Sequence, residues 1–494
     1  MGVIKFHLPD NIKIPPGIEL QHAAMLSSHD RLPFPGIVTV ENGLLTIQRE
    51  NNESGPMTIP WDIPDTGRLM TPTTTLMERP QPYYLMVELA RGKINQVRNQ
   101  YNDWLMGGLT PIPEVEFLLK QGTNQLREAI LDAGLPESAV RGEDALACAF
   151  DAADTMTRAY TKQVFGLRHA RQGKFDTAFG CRIPKLPSQE LQDIYRLSFN
   201  TITIPLSWNL IEPDESTYFW DDADRVLEWA TKRNLRVYAG PVIDFTPAAM
   251  PAWVQENDYD PVTLRSLMCD YVETVVTRYR DRIKRWLITT GSNGTPLFSF
   301  PEDELIKLTA SAADAAWQID SELELVIGVA QPWSEYLTTT DYEYSGLIIA
   351  DTLLRAGLPF HGVEVELLMG TTPRGSYCQD LLSTSRMLDH FGMLGVPISV
   401  ACSYPSSRKT DPICPGEVVH ASGFWKDISP EAQADWASSF LNVMLCKGYI
   451  ENICWDHFSD VDFHRTPNSG LVDPHGALKP ALEKLREIRL THLA

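Results

Sequence analysis

The feature that most constrains the fold is a regular alternation of strand and helix patterns after Gly173. Short apolar segments with strand character are separated by helical patterns such as 221–232, 262–279 and 431–445. Strands that alternate with helices form either a closed barrel or an open, doubly wound sheet. The eight predicted strands are Phe175–Cys181, Thr201–Leu206, Arg236–Ile243, Arg285–Thr290, Leu323–Val329, Gly362–Leu367, Pro397–Ala401 and Ile450–Trp455.

Eight strand–helix units favour the closed form, the (β/α)8 barrel. No G-x-G-x-x-G or Walker-type glycine loop follows any of the predicted strands. This argues against an open sheet of the nucleotide-binding type. We therefore predict an α/β protein with a (β/α)8 TIM barrel over residues 173–494.

The first 172 residues have a different pattern. Residues 1–90 are rich in proline, glycine and threonine, and the apolar runs on either side of Glu41-Asn42-Gly43 predict a hairpin. We predict a β-rich domain here, sandwich-like or jelly-roll-like, which either binds carbohydrate or caps the barrel. Residues 91–172 have helical periodicity interrupted at Gly107-Gly108 and Gly134, and we predict a helical connecting segment.

Composition narrows the possible partners. The net charge of −21 argues against nucleic acid and against an anionic membrane surface. No apolar run reaches the ~18 residues of a membrane span, and the N-terminus lacks the apolar core of a signal peptide. The eight cysteines have neither C-x-x-C spacing nor a zinc pattern with histidine. We expect buried free thiols, no metal, no cofactor and a cytoplasmic location, while the oligomeric state stays open.

Several short strings occur in the order found in the xylanase-type barrels of glycoside hydrolase family 10. They are Gly173–Ala178, Phe199–Thr203 with Trp208, Tyr218–Asp224, Pro251–Trp253, Ile453–Trp455, Gly470–Asp473 and Leu478–Ala481. The C-terminal two thirds of the chain thus resembles this family. The resemblance implies a carbohydrate ligand and retaining hydrolysis of β-1,4-xylan, by a glutamate acid/base after the fourth strand and a glutamate nucleophile on the seventh.

Neither of those glutamates has a counterpart here. Thr290 and Gly291 stand where the family pattern of the fourth strand has Asn and Glu. The seventh strand, residues 398–402, contains no carboxylate, and residues 204–207 replace the sugar-binding run that the family has after its second strand. The sequence therefore predicts a divergent member to which the family mechanism cannot be transferred.

Other carboxylates follow the predicted strands, at the end of the barrel where this fold places active sites. Glu364 and Glu366 alternate with valines, so both are expected to face the interior, as ligand contacts or as buried acids paired with arginine or lysine. Asp244 ends the third strand, as a site residue or a helix cap, and Glu335 follows the fifth. We predict catalytic roles for Glu366, Glu335 and Asp244, and a substrate contact for Glu364.

Tryptophans at the same ends could stack on the apolar faces of sugar rings. Trp455 stands at the position of the family tryptophan that forms the floor of a sugar subsite, and Asp456 follows it. Trp208, Trp253 and Trp333 follow other strands, where loop packing is the alternative role. We predict that these five residues bind substrate.

Three functions remain open on the sequence. The first is an active glycoside hydrolase with relocated carboxylates, Glu366 being paired with Glu335 or Asp244 and one acid having a raised pKa. The second is a barrel that binds glycan without cleaving it, and the third is a structural pseudoenzyme. Two acids ~5–10 Å apart beside tryptophan would favour the hydrolase, whereas isolated or salt-bridged acids would favour the others. A metal-dependent hydrolase is disfavoured because H-x-H and H-E-x-x-H motifs are missing.

Overall fold

A computed structural model describes residues 2–27, 31–257, 259–294, 298, 300–414, 417–418 and 427–494. The strands within these ranges are β1 Gly2–His7, β2 Ala24–Met25, β3 Ile37–Glu41, β4 Leu44–Arg49, β5 Gly55–Ile63, β6 Gly67–Leu76, β7 Tyr83–Tyr84, β8 Ala178–Arg182, β9 Thr201–Ile204, β10 Arg236–Ala239, β11 Ile243–Asp244, β12 Arg285–Thr290, β13 Glu324–Val329, β14 Phe360–Leu368, β15 Thr371–Thr372, β16 Ile398–Ser403, β17 Glu417–Val418 and β18 Ile450–Trp455. The α-helices are α1 Gly17–Leu20, α2 Leu85–Met106, α3 Pro113–Leu131, α4 Pro136–Gln172, α5 Gln189–Ser198, α6 Trp208–Ile211, α7 Asp221–Lys232, α8 Ala252–Glu256, α9 Pro261–Tyr279, α10 Glu302–Ile319, α11 Gly346–Arg355, α12 Leu381–Gly392, α13 Pro430–Cys446 and α14 Pro480–His492.

Eight parallel strand positions close into a barrel. Their order around the barrel is β8, β9, β10, β12, β13, β14, β16 and β18, and the pairing of β18 with β8 closes the ring. Strand β11 continues the third position after a break at residues 240–242 and pairs with β12. The predicted (β/α)8 fold is confirmed, and every one of the eight predicted strands overlaps an observed one.

Most barrel strands are buried on both faces, because helices cover the outside and side chains fill the inside, whereas the first three residues of β10 are exposed or partly buried. All six residues of β12 and all six of β16 are buried. In β14 the alternation of the pleat separates valine from glutamate. Arg182, on the opposite side of the barrel in β8, contacts Glu364, which shows that the glutamates of β14 point into the barrel.

The N-terminal strands form two small sheets. One has the order β3-β4-β1-β7 and the other the order β2-β5-β6. The predicted turn between β3 and β4 is present, with positive φ at Asn42 and Gly43, residue types that tolerate this conformation. The hydrophobic core continues from Phe6 and Trp61 of these sheets through the helices to Trp286 of the barrel. The division of the chain into domains at residues 90 and 172 stays a prediction.

None of the eight cysteines forms a disulfide, and all except Cys269 are buried, as the sequence predicts. No helix in the described ranges is both long and apolar enough to cross a bilayer.

A buried ion pair joins the N-terminal helices to the barrel. Lys93 of α2 is fully buried and donates to Asp380 at 2.5 Å and to Gln96 at 2.7 Å. Asp380 also caps α12 by accepting from the Ser383 amide at 3.0 Å. Burial would raise the pKa of Asp380, but the Lys93 charge and the hydrogen bonds from Lys93 and Ser383 outweigh it and lower that pKa.

Replacement of Lys93 by methionine should destabilise the protein strongly, because it leaves the Asp380 carboxylate buried without its cation. We expect the free energy of unfolding to fall by about 3–5 kcal/mol, measured by urea denaturation at pH 7. The control is Lys484→Met, which removes a surface lysine paired with Glu487 and should leave the urea midpoint unchanged. An unchanged midpoint in Lys93→Met would show that this pair does not hold the two parts together.

Candidate functional site

Four of the predicted acids meet inside the carboxyl end of the barrel. Asp244 ends β11, Glu364 and Glu366 lie on β14, and Asp456 follows β18 directly. Each of the four is at most 4% exposed. Carboxylates this deeply buried must either be neutral or have cations beside them.

Arginines provide those cations. Arg182 at the end of β8 donates to both Glu364 and Asp456. Arg374, in the loop that follows β15, contacts Asp244 at 2.6 Å. The same guanidinium makes a two-pronged contact to Glu366, at 2.7 Å and 3.0 Å, the strong geometry for this pair of groups.

Arg465, from the loop after β18, connects the two halves of this network. One of its nitrogens contacts Asp244 at 2.9 Å and Glu366 at 3.0 Å, and the other contacts Asp456. Because one nitrogen contacts both carboxylates, the contacted oxygens of Asp244 and Glu366 are less than about 6 Å apart. Thr290 adds a hydrogen bond to Glu366 at 2.7 Å. We call the seven charged residues the arginine–carboxylate cluster: Arg182, Asp244, Glu364, Glu366, Arg374, Asp456 and Arg465.

The cluster holds its carboxylates in definite protonation states. Burial would raise the pKa of Glu366, but Arg374 and Arg465 outweigh burial and lower it to about 2. Burial also opposes ionisation of Asp456, yet Arg465 and Arg182 lower its pKa well below the usual range. For Glu364 burial prevails, and the pKa is raised despite Arg182. Glu366 and Asp456 are therefore ionised at neutral pH and have no proton to donate.

Gly291 follows β12, where the family resemblance places the acid/base glutamate. Its φ is +76°, a conformation that side-chain-bearing residues rarely adopt. A Cβ atom built there would lie 3.3 Å from an Arg374 nitrogen and 3.5 Å from an Asp244 oxygen. The Arg374 guanidinium thus occupies space beside the position where a side chain would begin.

The loop after β18 is braced so that Arg465 reaches the barrel interior. His457 contacts Asp460 at 3.1 Å, and Lys479 donates to the same aspartate at 2.6 Å. His464, the neighbour of Arg465, contacts Asp411 at 2.9 Å and stacks on His457 at 4.4 Å between ring centroids. Asp460 is therefore a structural anchor for this loop.

Comparison with known proteins agrees with this architecture. Residues 166–289, from the end of α4 through the first four strands, match the model of glycosyl hydrolase family 10. The first half of the barrel is therefore similar to glycosyl hydrolase family 10. The matched segment ends one residue before Thr290, where the family 10 motif for the acid/base glutamate is lost.

Curated proteins to which the chain is similar are endo-1,4-beta-xylanases. The xylanase B of Humicola insolens is 27% identical over 97 residues, which cover 19% of this chain and 26% of that enzyme. The xylanase of Agaricus bisporus is 24% identical over 215 residues, which cover 41% of this chain and 59% of that enzyme. The chain thus spans less than two thirds of the length of either relative. The native xylanase 10B structure of Thermotoga maritima is 17% identical, with 63% of this chain and 94% of that chain covered and a TM-score of 0.47.

Glu335 does not join the cluster. It lies after β13, its carboxylate accepts from Ser376 at 3.3 Å, and its second oxygen has no hydrogen-bond partner among the described residues. Burial raises the pKa of Glu335 to about 7, and no acid of the cluster contributes to the shift. The predicted pairing of Glu366 with Glu335 is therefore not found, whereas Asp244 and Glu366 do come together.

The predicted sugar-binding tryptophans fall into two groups. Trp455 and Trp208 are at most 1% exposed, and their indole nitrogens donate to the Ser469 carbonyl at 2.9 Å and to Glu212 at 2.8 Å. Trp253 and Trp333 are only partly buried. Trp253 and Trp333 therefore expose indole surface on which a sugar ring can stack, whereas Trp455 and Trp208 do not.

The three arginines of the cluster were missed by the sequence reasoning. Arg182 ends β8, and the other two stand in loops after β14 and β18. Four acids that point into one barrel require buried cations beside them. Arginines soon after the strand ends could therefore have been predicted as their partners. Among the described residues no group of three or more His, Cys, Asp or Glu could hold a metal, and guanidinium groups lie between the carboxylates instead.

Substitution of Glu366 by glutamine should change how stability depends on pH. The pKa of Glu366 is about 2 in the fold against an ordinary 4.5, so its ionised form stabilises the native state above pH 4.5. That contribution, up to about 3 kcal/mol, is lost as pH falls from 4.5 towards 2. Urea unfolding between pH 3 and 7 should therefore show a smaller acid-side loss in Glu366→Gln than in wild type. If the unfolding free energies of the two proteins change with pH in parallel, Glu366 is not held ionised by the arginines.

Removal of Arg374 should be costly only while its acid partners remain charged. We expect Arg374→Met to lower the unfolding free energy by about 3–5 kcal/mol, and the double variant Glu366→Gln/Arg374→Met to regain part of the loss. The control is Arg355→Met, which removes a surface arginine of α11. Additive losses in this double-mutant cycle would contradict direct coupling of the two residues.

Proposed function

We propose that this protein binds a xylan-type β-linked glycan at the mouth of its barrel and does not hydrolyse it. The observation that carries the proposal is that arginine side chains form ion pairs with Asp244, Glu366 and Asp456. The class of ligand is supported by the curated relatives, which are endo-1,4-beta-xylanases.

Glycoside hydrolysis needs a carboxylic acid that can protonate the leaving oxygen, and a second carboxylate near it. A pKa of about 2 removes Glu366 from the first role, and a still lower pKa removes Asp456. Glu364 has a raised pKa, but it is 4% exposed and contacts Arg182. Glu335 has a suitable pKa of about 7, but it lies apart from the other acids. None of these four acids combines the required pKa, access and partner.

Binding without cleavage needs only surfaces that stack on sugar rings and groups that accept their hydroxyls. Trp253 is partly exposed on α8, after β11. Phe219, after β9, is 56% exposed, and Phe298, after β12, stacks on Phe300 at 5.2 Å. These aromatic side chains follow three successive strand positions of the barrel, at the end where ligands of this fold bind. We propose them as the glycan contacts.

A second candidate function is hydrolysis by a relocated pair, Asp244 and Glu366. The observation that favours it is that one Arg465 nitrogen contacts both acids, so the two carboxylates are neighbours, as a hydrolytic pair must be. Hydrolysis would require Arg374 and Arg465 to leave one of these acids so that its pKa rises. The binding proposal requires no such rearrangement.

Reducing-sugar release and affinity electrophoresis on the same panel would separate the two functions. The panel is xylan, glucomannan and mixed-linkage β-glucan, with wild type and Glu366→Gln. We expect no sugar release by either protein but retarded migration of both in a xylan gel. Trp253→Ala should weaken the retardation about tenfold, whereas Trp317→Ala, an exposed tryptophan of α10, should not.

The remaining outcomes decide against the proposal. Sugar release that disappears in Glu366→Gln would establish the relocated hydrolase. Free migration of wild type in every gel, without sugar release, would exclude both functions and favour the structural role.

A further inference from the structure

A cavity of about 480 Å³ lies apart from the arginine–carboxylate cluster. The N-terminal β-rich region forms one side of it, and α11, α12 and the loop after β13 form the other. Its volume falls in the ~300–1,000 Å³ range of small-molecule sites, which also favour junctions between structural units. Six of its apolar wall residues are Met70, Pro72, Leu347, Ile348, Met387 and Phe391.

One wall of the cavity carries a polar atom without a partner in the part of the chain that the structure describes. Glu335 lines the cavity, and one of its carboxyl oxygens has no hydrogen-bond partner among the described residues. A buried polar atom without a partner costs free energy, and a ligand that hydrogen-bonds to it removes that cost.

Two amides add donors to the apolar walls. Gln96 lines the cavity while its side-chain oxygen accepts from Lys93 at 2.7 Å, which leaves the amide nitrogen as a donor. Gln379 also lines the cavity and is 7% exposed. Together with Glu335, these groups can bind a polar substituent on an otherwise apolar ligand.

Positive charge gathers at the same cavity, although the whole protein is strongly acidic. Arg31, Arg386 and His390 all contribute to its lining. Burial and the Arg31 charge lower the pKa of Arg386 against the opposing charges of Asp380, Asp103 and Asp389, and burial with both arginines lowers the pKa of His390. No carboxylate of the described residues forms an ion pair with Arg386. A guanidinium without such a partner binds an anionic ligand strongly.

We propose that this cavity binds a small organic carboxylate with an apolar body of about the size of one ring. Arg386 and Arg31 would bind the carboxylate, and the apolar walls would enclose the body. Glu335 and the glutamine amides would bind a hydroxyl or carbonyl substituent. The site uses none of the three aromatic residues proposed as glycan contacts, Phe219, Trp253 and Phe298, so its binding can be tested separately.

Isothermal titration calorimetry at pH 7 tests the site with phenylacetate, cyclohexanecarboxylate and octanoate, and with uncharged phenylacetamide. We expect at least one carboxylate to bind wild type with a Kd below about 1 mM. Arg386→Gln should weaken that carboxylate at least about tenfold and leave the amide unchanged. The control Arg355→Gln removes a surface arginine of α11 outside the cavity lining and should bind like wild type.

A second variant keeps the test independent of Arg386. Leu347→Trp should fill the cavity and abolish binding of carboxylate and amide alike, with an unfolding midpoint that shows the protein is folded. The proposal is overturned if none of the three carboxylates binds wild type. It is also overturned if folded Arg386→Gln binds them as tightly as wild type does, or if Leu347→Trp leaves binding intact.

Discussion

Pairing of buried charge is the constraint on which the centre of this barrel depends. Four carboxylates inside a dry barrel would be prohibitively costly alone, and each arginine would be equally costly without them. Because Arg465 contacts Asp244, Glu366 and Asp456, acids from three separate strand positions are held in one arrangement. Loss of any one member leaves its partners buried and uncompensated. The cluster therefore works as a unit and specifies how the ends of β11, β14 and β18 meet.

The same constraint connects the missing glutamates of family 10 to the arginines. Gly291 has no side chain, and the Arg374 guanidinium lies where a Cβ atom at that position would be crowded. Thr290, which replaces the family asparagine, donates to Glu366. The positions that lost catalytic residue types have thus become part of the packing around the cluster. A glutamate restored at position 291 alone would meet both a positive φ and an occupied space, so the family site cannot return by one substitution.

The parts of this structure that depend on local pattern could be predicted from the sequence. Strand β12 is one buried run, and the alternation of glutamate and valine in β14 correctly indicates which side chains enter the barrel. The partners of those glutamates could not be predicted in the same way. Arg374 and Arg465 reach the interior from loops, whose lengths and paths carry no periodic signal. Trp455 shows the same limit, because its position in the chain suggests a sugar platform while its burial depends on contacts with distant residues.

Two glutamates of this chain show how fully the surroundings decide the chemistry of a side chain. Glu366 and Glu335 are both removed from water, which by itself raises a carboxyl pKa. Two guanidinium groups reverse that effect for Glu366, whereas only weak hydrogen bonds oppose it for Glu335, and the results are pKa values of about 2 and about 7. A carboxyl with a pKa near neutral pH therefore lies in the peripheral cavity, whereas Glu366 at the centre of the barrel is held ionised. The same type of side chain exchanges protons in one place and stays an anion in the other, because guanidinium groups contact Glu366.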